Sequence, residues 1–360
     1  MMIWTEHLFL GVLFRDLQGV PMWFVIDNKI RYIVLILSGL LVLCFSQAIA
    51  DELSERADLF NKTRVLFSER NFEELSRISD HYRDSGERMS SGLWKLDYFY
   101  KGFSAPDRMF NISQDYWSMM ENRALSWAKK QPGSPTPHIA YAIILQDQAW
   151  RVRGTRYANT VTQEQRIKFH KLIAKARAYL LRHREVGSKD PHWYANMLDI
   201  AKVEAWPKKD FEALFSEAIQ AGPYYYGSYF SGGGYYHPSW HGTVQELEDF
   251  ARKAIEYTED QEGKGIYARI YWSANHGSLW MVAFTKSRVS WSLMKEGIDD
   301  VLSRYPDQWN IQNFAHFSCQ AMDKEKTKEL INRIDDAIIE SAWTQVFSYE
   351  KCKGWAFRNT

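Results

Sequence analysis

The stretch Asp190-Pro191-His192-Trp193-Tyr194-Ala195-Asn196-Met197-Leu198-Asp199-Ile200-Ala201 decides the fold class. Tyr194, Met197, Leu198, Ala201 and Ala205 follow the i, i+3, i+4, i+7, i+11 spacing, which puts five apolar groups on one face of an α-helix. Pro191 pre-sets φ for a first helical turn and forbids continuation of any helix before it. The same reading repeats outward along the chain. Phe169, Leu172, Ile173, Ala176 and Leu180 form a second stripe, and Phe211, Leu214, Phe215 and Ala218 a third. Leu247, Phe250, Ala251 and Ala254 form a fourth, and Leu330, Ile334, Ala337 and Ile338 a fifth. No stretch of five or more residues alternates as a strand should. These patterns predict an all-α chain of about ten to twelve helices.

Proline-marked helix starts recur. Gly222-Pro223-Tyr224-Tyr225-Tyr226 opens a unit 32 residues after Pro191, and Tyr305-Pro306-Asp307-Gln308-Trp309 is a third copy. Two helices per step of about 34 residues is the tetratricopeptide scale, so the expected architecture is an α-solenoid of degenerate helix pairs. Gln131 to Pro137 reads as a loop. Gly227 to Gly242, with Gly232-Gly233-Gly234 and Pro238, reads as an insertion where helical geometry fails, and with Tyr224 it marks 224–242 as a surface feature.

The first fifty residues read as a targeting segment. Ile33 to Phe45 is a charge-free apolar run, too short for the ~20 residues of a membrane-spanning helix. Lys29 and Arg31 precede it, and Ser46-Gln47-Ala48-Ile49-Ala50 supplies a small-x-small cleavage site. Residues 1–50 are thus an N-terminal extension and signal peptide cleaved after Ala50, with Met22 as a second possible start. Residues 51–360 form a single helical domain. This makes the protein secreted, with the periplasm as its compartment and an uncleaved signal anchor as the alternative. No transmembrane span is expected after cleavage.

The 360 residues carry 45 basic and 44 acidic side chains, a net charge of +1. That balance argues against a nucleic-acid binder, which needs a basic stripe. Removal of the signal takes Cys44 and leaves Cys319 and Cys352. In an oxidising compartment the pair can form one disulfide, or remain two buried thiols.

Several patches resemble the bacterial domain of unknown function family 4034, a tetratricopeptide-like helical group. They are Gly92-Leu93-Trp94-Lys95-Leu96, Trp150-Arg151-Val152-Arg153-Gly154, Asp190-Pro191-His192-Trp193-Tyr194 and Pro238-Ser239-Trp240-His241-Gly242, then Ile266-Tyr267-Ala268-Arg269-Ile270-Tyr271-Trp272 and Asn313-Phe314-Ala315 with Cys319. The resemblance spans about residues 55–355 and implies a helical repeat fold. It brings no activity and no catalytic residues.

Chemistry is sparse. The nucleophile elbow, the zinc-protease helix, the Cys-x-x-Cys pair and the phosphate loop are all missing from the sequence. His237 and His241, with Glu246 or Glu248, fall short of the three specified ligands that a catalytic zinc needs, so no metal or cofactor is expected. Asp299-Asp300 and Glu259-Asp260 point apart on a helix and read as solvated faces. Arg151, Arg153 and Arg156 with Trp150 and Tyr157 form a basic-aromatic cluster at a helix end. Tyr224, Tyr225, Tyr226, Tyr229, Phe230, Tyr235, Tyr236 and Trp240 crowd into 224–242.

The expected function is protein binding in the cell envelope. Arg153, Tyr235, Tyr236, His237, Trp240 and His241 are the candidate partner surface. A periplasmic enzyme or binder acting on glycan or peptidoglycan is the first alternative. An immunity-type neutraliser of an imported toxin is the second. Intact-mass analysis of protein recovered from the envelope should place the first residue at Asp51; retention of residues 29–50 would show an anchor instead.

Overall fold

The structure is a computed structural model that describes residues 52–106, 112–154, 160–275, 287–335 and 337–358. Residues 1–50, with the signal segment, and Arg156 and Tyr157 lie outside these. The described residues fall within one compact unit, Ala50–Thr360.

Seventeen α-helices and no strand occur among the described residues. They are α1 Glu52–Ser68, α2 Phe72–Ser85, α3 Lys95–Lys101, α4 Gln114–Lys130, α5 Pro135–Arg153, α6 Gln163–Arg182, α7 Arg184–Gly187, α8 Pro191–Val203 and α9 Lys208–Ala221. Then come α10 Tyr226–Tyr236, α11 Val244–Glu256, α12 Glu259–Glu262, α13 Gly265–Asn275, α14 Trp291–Arg304, α15 Gln308–Gln320, α16 Lys324–Ile331 and α17 Tyr349–Phe357. The number exceeds the sequence expectation because short helical turns, such as α7 and α12, carry too few residues to show a period.

Local chemistry starts these helices where the sequence marks them. The Asp190 carboxylate accepts the His192 amide at the head of α8, and Asp307 accepts the Trp309 amide at the head of α15. Thr162 and Gln165 form a reciprocal capping box on α6. Pro135 lies in the first turn of α5, so only the front of the expected 131–137 loop is a loop.

Two kinds of helix alternate. In α6 the buried residues are Phe169, Ile173, Ala176 and Leu180, a single stripe. In α15 every residue from Trp309 to Gln320 is buried. The first kind is an outer helix with one wet face; the second is an inner helix enclosed on all sides. The inner helices α5, α8, α10, α13 and α15 pack on the outer helices that follow them, α6, α9, α11, α14 and α16. Inner helices also pack on one another in order from α5 through α13, and α15 touches α1. The inner helices begin at Pro135, Pro191, Tyr226, Gly265 and Gln308, in unequal steps, so a repeat near 34 residues is not kept.

An enclosed helix must satisfy its polar side chains internally. On α15, Asn310 donates to the Ser91 and Tyr305 carbonyls, and Gln312 bonds Ala337, Ile339 and Trp343. Those Gln312 bonds also correct the fifth stripe. The helix stops at Ile331, and the backbone around Ala337 and Ile339 bonds α15 instead of itself.

The 224–242 insertion is the larger correction. Its core is a regular inner helix, α10, with Gly232, Gly233 and Gly234 inside it. A Cβ on Gly232 would lie 2.3 Å from Cζ of Phe250, and one on Gly233 3.1 Å from Ile270. The glycines are the contact surface that lets α11 and α13 approach. Their helix-propensity cost of ~1 kcal/mol each is offset by packing that no larger residue permits.

Residues 86–94 cross the N-terminal ends of the inner helices. Trp94 Nε1 and Arg88 both donate to the Tyr224 carbonyl, and Arg269 joins Asn310 on the Ser91 carbonyl. Gly92 sits at φ +85, with the Arg269 guanidinium 2.6 Å from where its Cβ would be.

Cys319 of α15 and Cys352 of α17 are both buried and joined as a disulfide, with Cα atoms 5.8 Å apart. The bridge ties the last helix to the inner layer. Gly232→Ala should destabilise the fold by about 1–2 kcal/mol, since overpacking outweighs the helix-propensity gain. Cys352→Ser should cost about 2–4 kcal/mol. Denaturant titration measures both; a neutral Gly232→Ala would contradict the close approach.

Candidate functional site

The candidate surface from the sequence divides sharply. Tyr235, Tyr236 and His237 are buried. Tyr235 stacks on Phe211 at 3.8 Å and donates to the Trp206 carbonyl, and Tyr236 donates to Glu212. His237 takes the Ser239 amide on Nδ1, and burial holds its imidazole below the usual range. These three are core groups, because α10 is an inner helix. Trp240 and His241 are exposed and Arg153 is half-buried.

The other sequence candidates separate too. Glu248 accepts from Tyr267, Tyr271 and Arg252, and Glu246 pairs with Lys208. Among the described residues no three His, Cys, Asp or Glu side chains come together as a metal site. Asp299 pairs with Lys326 while Asp300 takes the Lys264 amide. Asp260 accepts from Tyr224. Arg151 pairs with Asp147 and donates to the Ala105 and Pro106 carbonyls, so it holds the chain beyond α3.

What the fold brings together is a recess of about 410 Å³ between α5 and α8. On α5 it is lined by Ile143, Gln146, Asp147 and Trp150, spaced i, i+3, i+4, i+7. On α8 it is lined by Asn196, Asp199, Lys202 and Val203, and Ser104 closes one side. Gln146 Nε2 donates to Asn196 Oδ1 at 2.8 Å, and Lys202 pairs with Asp199 at 2.7 Å. Planar amides and carboxylates are thereby held in fixed orientations.

Two exposed tryptophans stand at this end of the helices. Trp150 is 36% exposed and Trp240 40%, with rings edge to face and 6.2 Å apart. The Arg153 guanidinium lies over Trp150 at 5.5 Å and the Lys202 ammonium over Trp240 at 5.3 Å. His241 bonds the Lys202 carbonyl, which helps hold the turn that carries Trp240.

One turn before Asn196, toward the start of α8, lies His192. Its ring stacks on Tyr100 at 4.2 Å, and Nδ1 is 2.5 Å from the Tyr225 hydroxyl and 3.7 Å from Asp97 Oδ1. Asp97 pairs with Lys101 at 3.1 Å; their side chains are 26% and 52% exposed. Dehydration pushes the Asp97 carboxyl up, but Lys101 and His192 outweigh it and leave it below its ordinary range. Dehydration pulls the Lys101 ammonium down, and Asp97 and Tyr98 more than reverse that. The His192 imidazole is held below its ordinary value by dehydration, against the pull of Asp97 and Asp190.

Beside this cluster Asp190 is fully buried. It accepts Arg83 Nε at 2.8 Å, the Tyr100 hydroxyl at 2.6 Å and the His192 amide at 2.8 Å. Arg83 also reaches Thr136 at the head of α5.

Comparison with protein-family models, with characterised proteins and with solved structures finds no match for this chain. Sequence reasoning passed over Asn196, Asp199, Gln146 and Asp97. The available signal was a polar stripe, His192, Asn196 and Asp199, at i, i+4, i+7 on a helix whose other residues, Lys202 apart, are apolar or aromatic.

Asp190→Asn should destabilise the fold by about 3 kcal/mol, because it leaves the Arg83 charge half-compensated in the interior. Stability should also fall with acid. From pH 6.5 downward the unfolded chain takes a proton that folded His192 refuses, so His192 contributes stability above that range and loses it below. His138, His183 and His237 shift the same way. Denaturant titrations at pH 7.5 and 5.5 should therefore show a smaller pH slope in His192→Gln, with a residue left by the other three.

Proposed function

We propose that this is an exported binding module of the cell envelope that takes a saccharide into the recess between α5 and α8. The observation that carries the reading is the pairing of two exposed tryptophans with oriented amides and carboxylates. A pyranose presents an apolar C–H face and a rim of hydroxyls. Trp150 and Trp240 supply flat apolar faces, and Gln146, Asn196, Asp147, Asp199 and Lys202 supply donors and acceptors for the rim. A volume of about 410 Å³ holds one to two sugar rings.

Export is supported by the apolar run Ile33–Phe45 and the small residues before Asp51. The tetratricopeptide-like relationship belongs to the same proposal and is supported by the pairing of inner with outer helices. Tyr235, Tyr236 and His237 lie in the core, so a protein partner at 224–242 would meet Trp240 and His241 instead.

Titration of tryptophan fluorescence in the mature protein with chitotetraose, cellotetraose and soluble muropeptides tests this. At least one saccharide should bind, and Trp150→Ala and Trp240→Ala should each weaken it about tenfold, the ~1.4 kcal/mol of one lost aromatic face. Binding of none by the folded protein, or full affinity in both variants, would reject the reading.

A further inference from the structure

The outer helices α9 and α11 both pack on the inner helix α10, and a cavity of about 300 Å³ lies between them. Glu212 and Phe215 line it from α9, and Asp249, Phe250 and Lys253 from α11. Tyr236, in the last turn of α10, and Tyr257, just past α11, add two more rings. The volume sits at the lower end of small-molecule sites, where a few side chains decide what enters.

The rings form walls rather than a stack. Phe215 meets Phe250 at 5.2 Å and 68°, and Tyr257 at 6.4 Å and 61°. Tyr236 lies 5.1 Å from Phe250 at 30°. Phe250 can take its place because Gly232 has no Cβ to hold it off. An aromatic face carries the negative end of the ring quadrupole, so angled rings around one space attract a cation. The Lys208 ammonium already follows that preference, 5.4 Å from the Tyr236 centroid.

The charge of the lining agrees. Lys208 pairs with Glu246 at 2.9 Å, and Asp249 and Lys253 stand one turn apart on α11 with opposite signs. Glu212 remains. It accepts the Tyr236 hydroxyl at 3.0 Å, and among the described residues no cation stands within ion-pair distance of it. Burial, and then the Glu212 carboxylate, hold the Tyr236 phenol proton on well above its usual range. A phenol that donates to a carboxylate has a more electron-rich ring, which strengthens its pull on a cation.

One uncompensated negative charge beside aromatic faces suits a single positive charge. An unsubstituted ammonium has three N–H donors, and ring walls leave them without oxygen acceptors. A methylated ammonium spreads its charge over C–H groups and brings no such donors. We infer that the cleft between α9 and α11 binds a small organic cation of the trimethylammonium class. The faces of Phe215, Tyr236, Phe250 and Tyr257 and the charge of Glu212 hold it. The site is separate from the recess between α5 and α8 and does not depend on the saccharide reading.

Isothermal titration calorimetry of the mature protein at low salt, with choline chloride and tetramethylammonium chloride, tests the assignment. Both cations should bind. The neutral isostere of choline, with a tert-butyl group in place of trimethylammonium, should bind about tenfold more weakly, because it fills the same space without the charge. Phe215→Leu removes one ring face and should weaken choline about fivefold, and Glu212→Gln should weaken it about threefold. Lys208→Met should tighten choline about threefold, since it removes the competing ammonium and leaves Glu246 unpaired; a disturbed fold does not raise affinity. Glu212 and Lys208 are exposed, so these two variants should keep the wild-type denaturation midpoint. Failure of both cations to bind at about 10 mM, or equal affinity for the neutral isostere, would overturn the inference. So would unchanged affinity in Phe215→Leu and Glu212→Gln alike, or weaker binding in Lys208→Met.

Discussion

The buried carboxylate of Asp190 is the constraint on which the rest depends. One oxygen holds Arg83 of α2 and Tyr100 of α3, and the other caps α8 through the His192 amide. Three elements far apart in the chain are thereby fixed at one point. The group is fully buried, so any loss of a partner leaves charge stranded in a low-dielectric interior, where breaking a pair costs about 3–5 kcal/mol. Tyr100, held from below by Asp190, is the flat surface on which His192 rests. The seat of His192 therefore inherits its geometry from the capping of one helix.

The inner layer obeys a second rule. Helices enclosed on every side have no water to satisfy their side chains, so Asn, Gln, His and Ser on them must find protein partners. Most do, as α15 shows with Asn310, Gln312 and Asn313. Asn196, Asp199 and Lys202 of α8 differ, because they line a recess against α5. Polar groups on an inner helix that line a gap are free to meet a ligand. The proposed site therefore draws on a recess between inner helices, and Trp240 is what the aromatic-rich stretch contributes to it.

Much of this was legible beforehand. The proline-led starts at Pro191 and before Trp309 were read correctly, since proline and a capping carboxylate act through their own backbone. The helical state of Gly232 to Gly234 was not, because three glycines oppose a helix locally and only the nearness of Phe250 and Ile270 makes them favourable. The stripe through Ile334 and Ile338 failed for the converse reason. Its helical spacing is genuine, but Gln308 and Gln312 capture that backbone in another conformation.

The sequence by itself determined that the chain is helical, where most helices begin, and which residues face inward on the outer helices. These follow from periodicity and capping, which act over a few residues. Only the tertiary structure decided which helices are enclosed, that Cys319 meets Cys352, and that Asp97, His192 and Tyr225 form one cluster. Arg83 and Asp190 stand 107 residues apart, and Asn310 reaches Ser91 across 219. Contacts at that separation depend on how the inner helices pack, and no local preference encodes them.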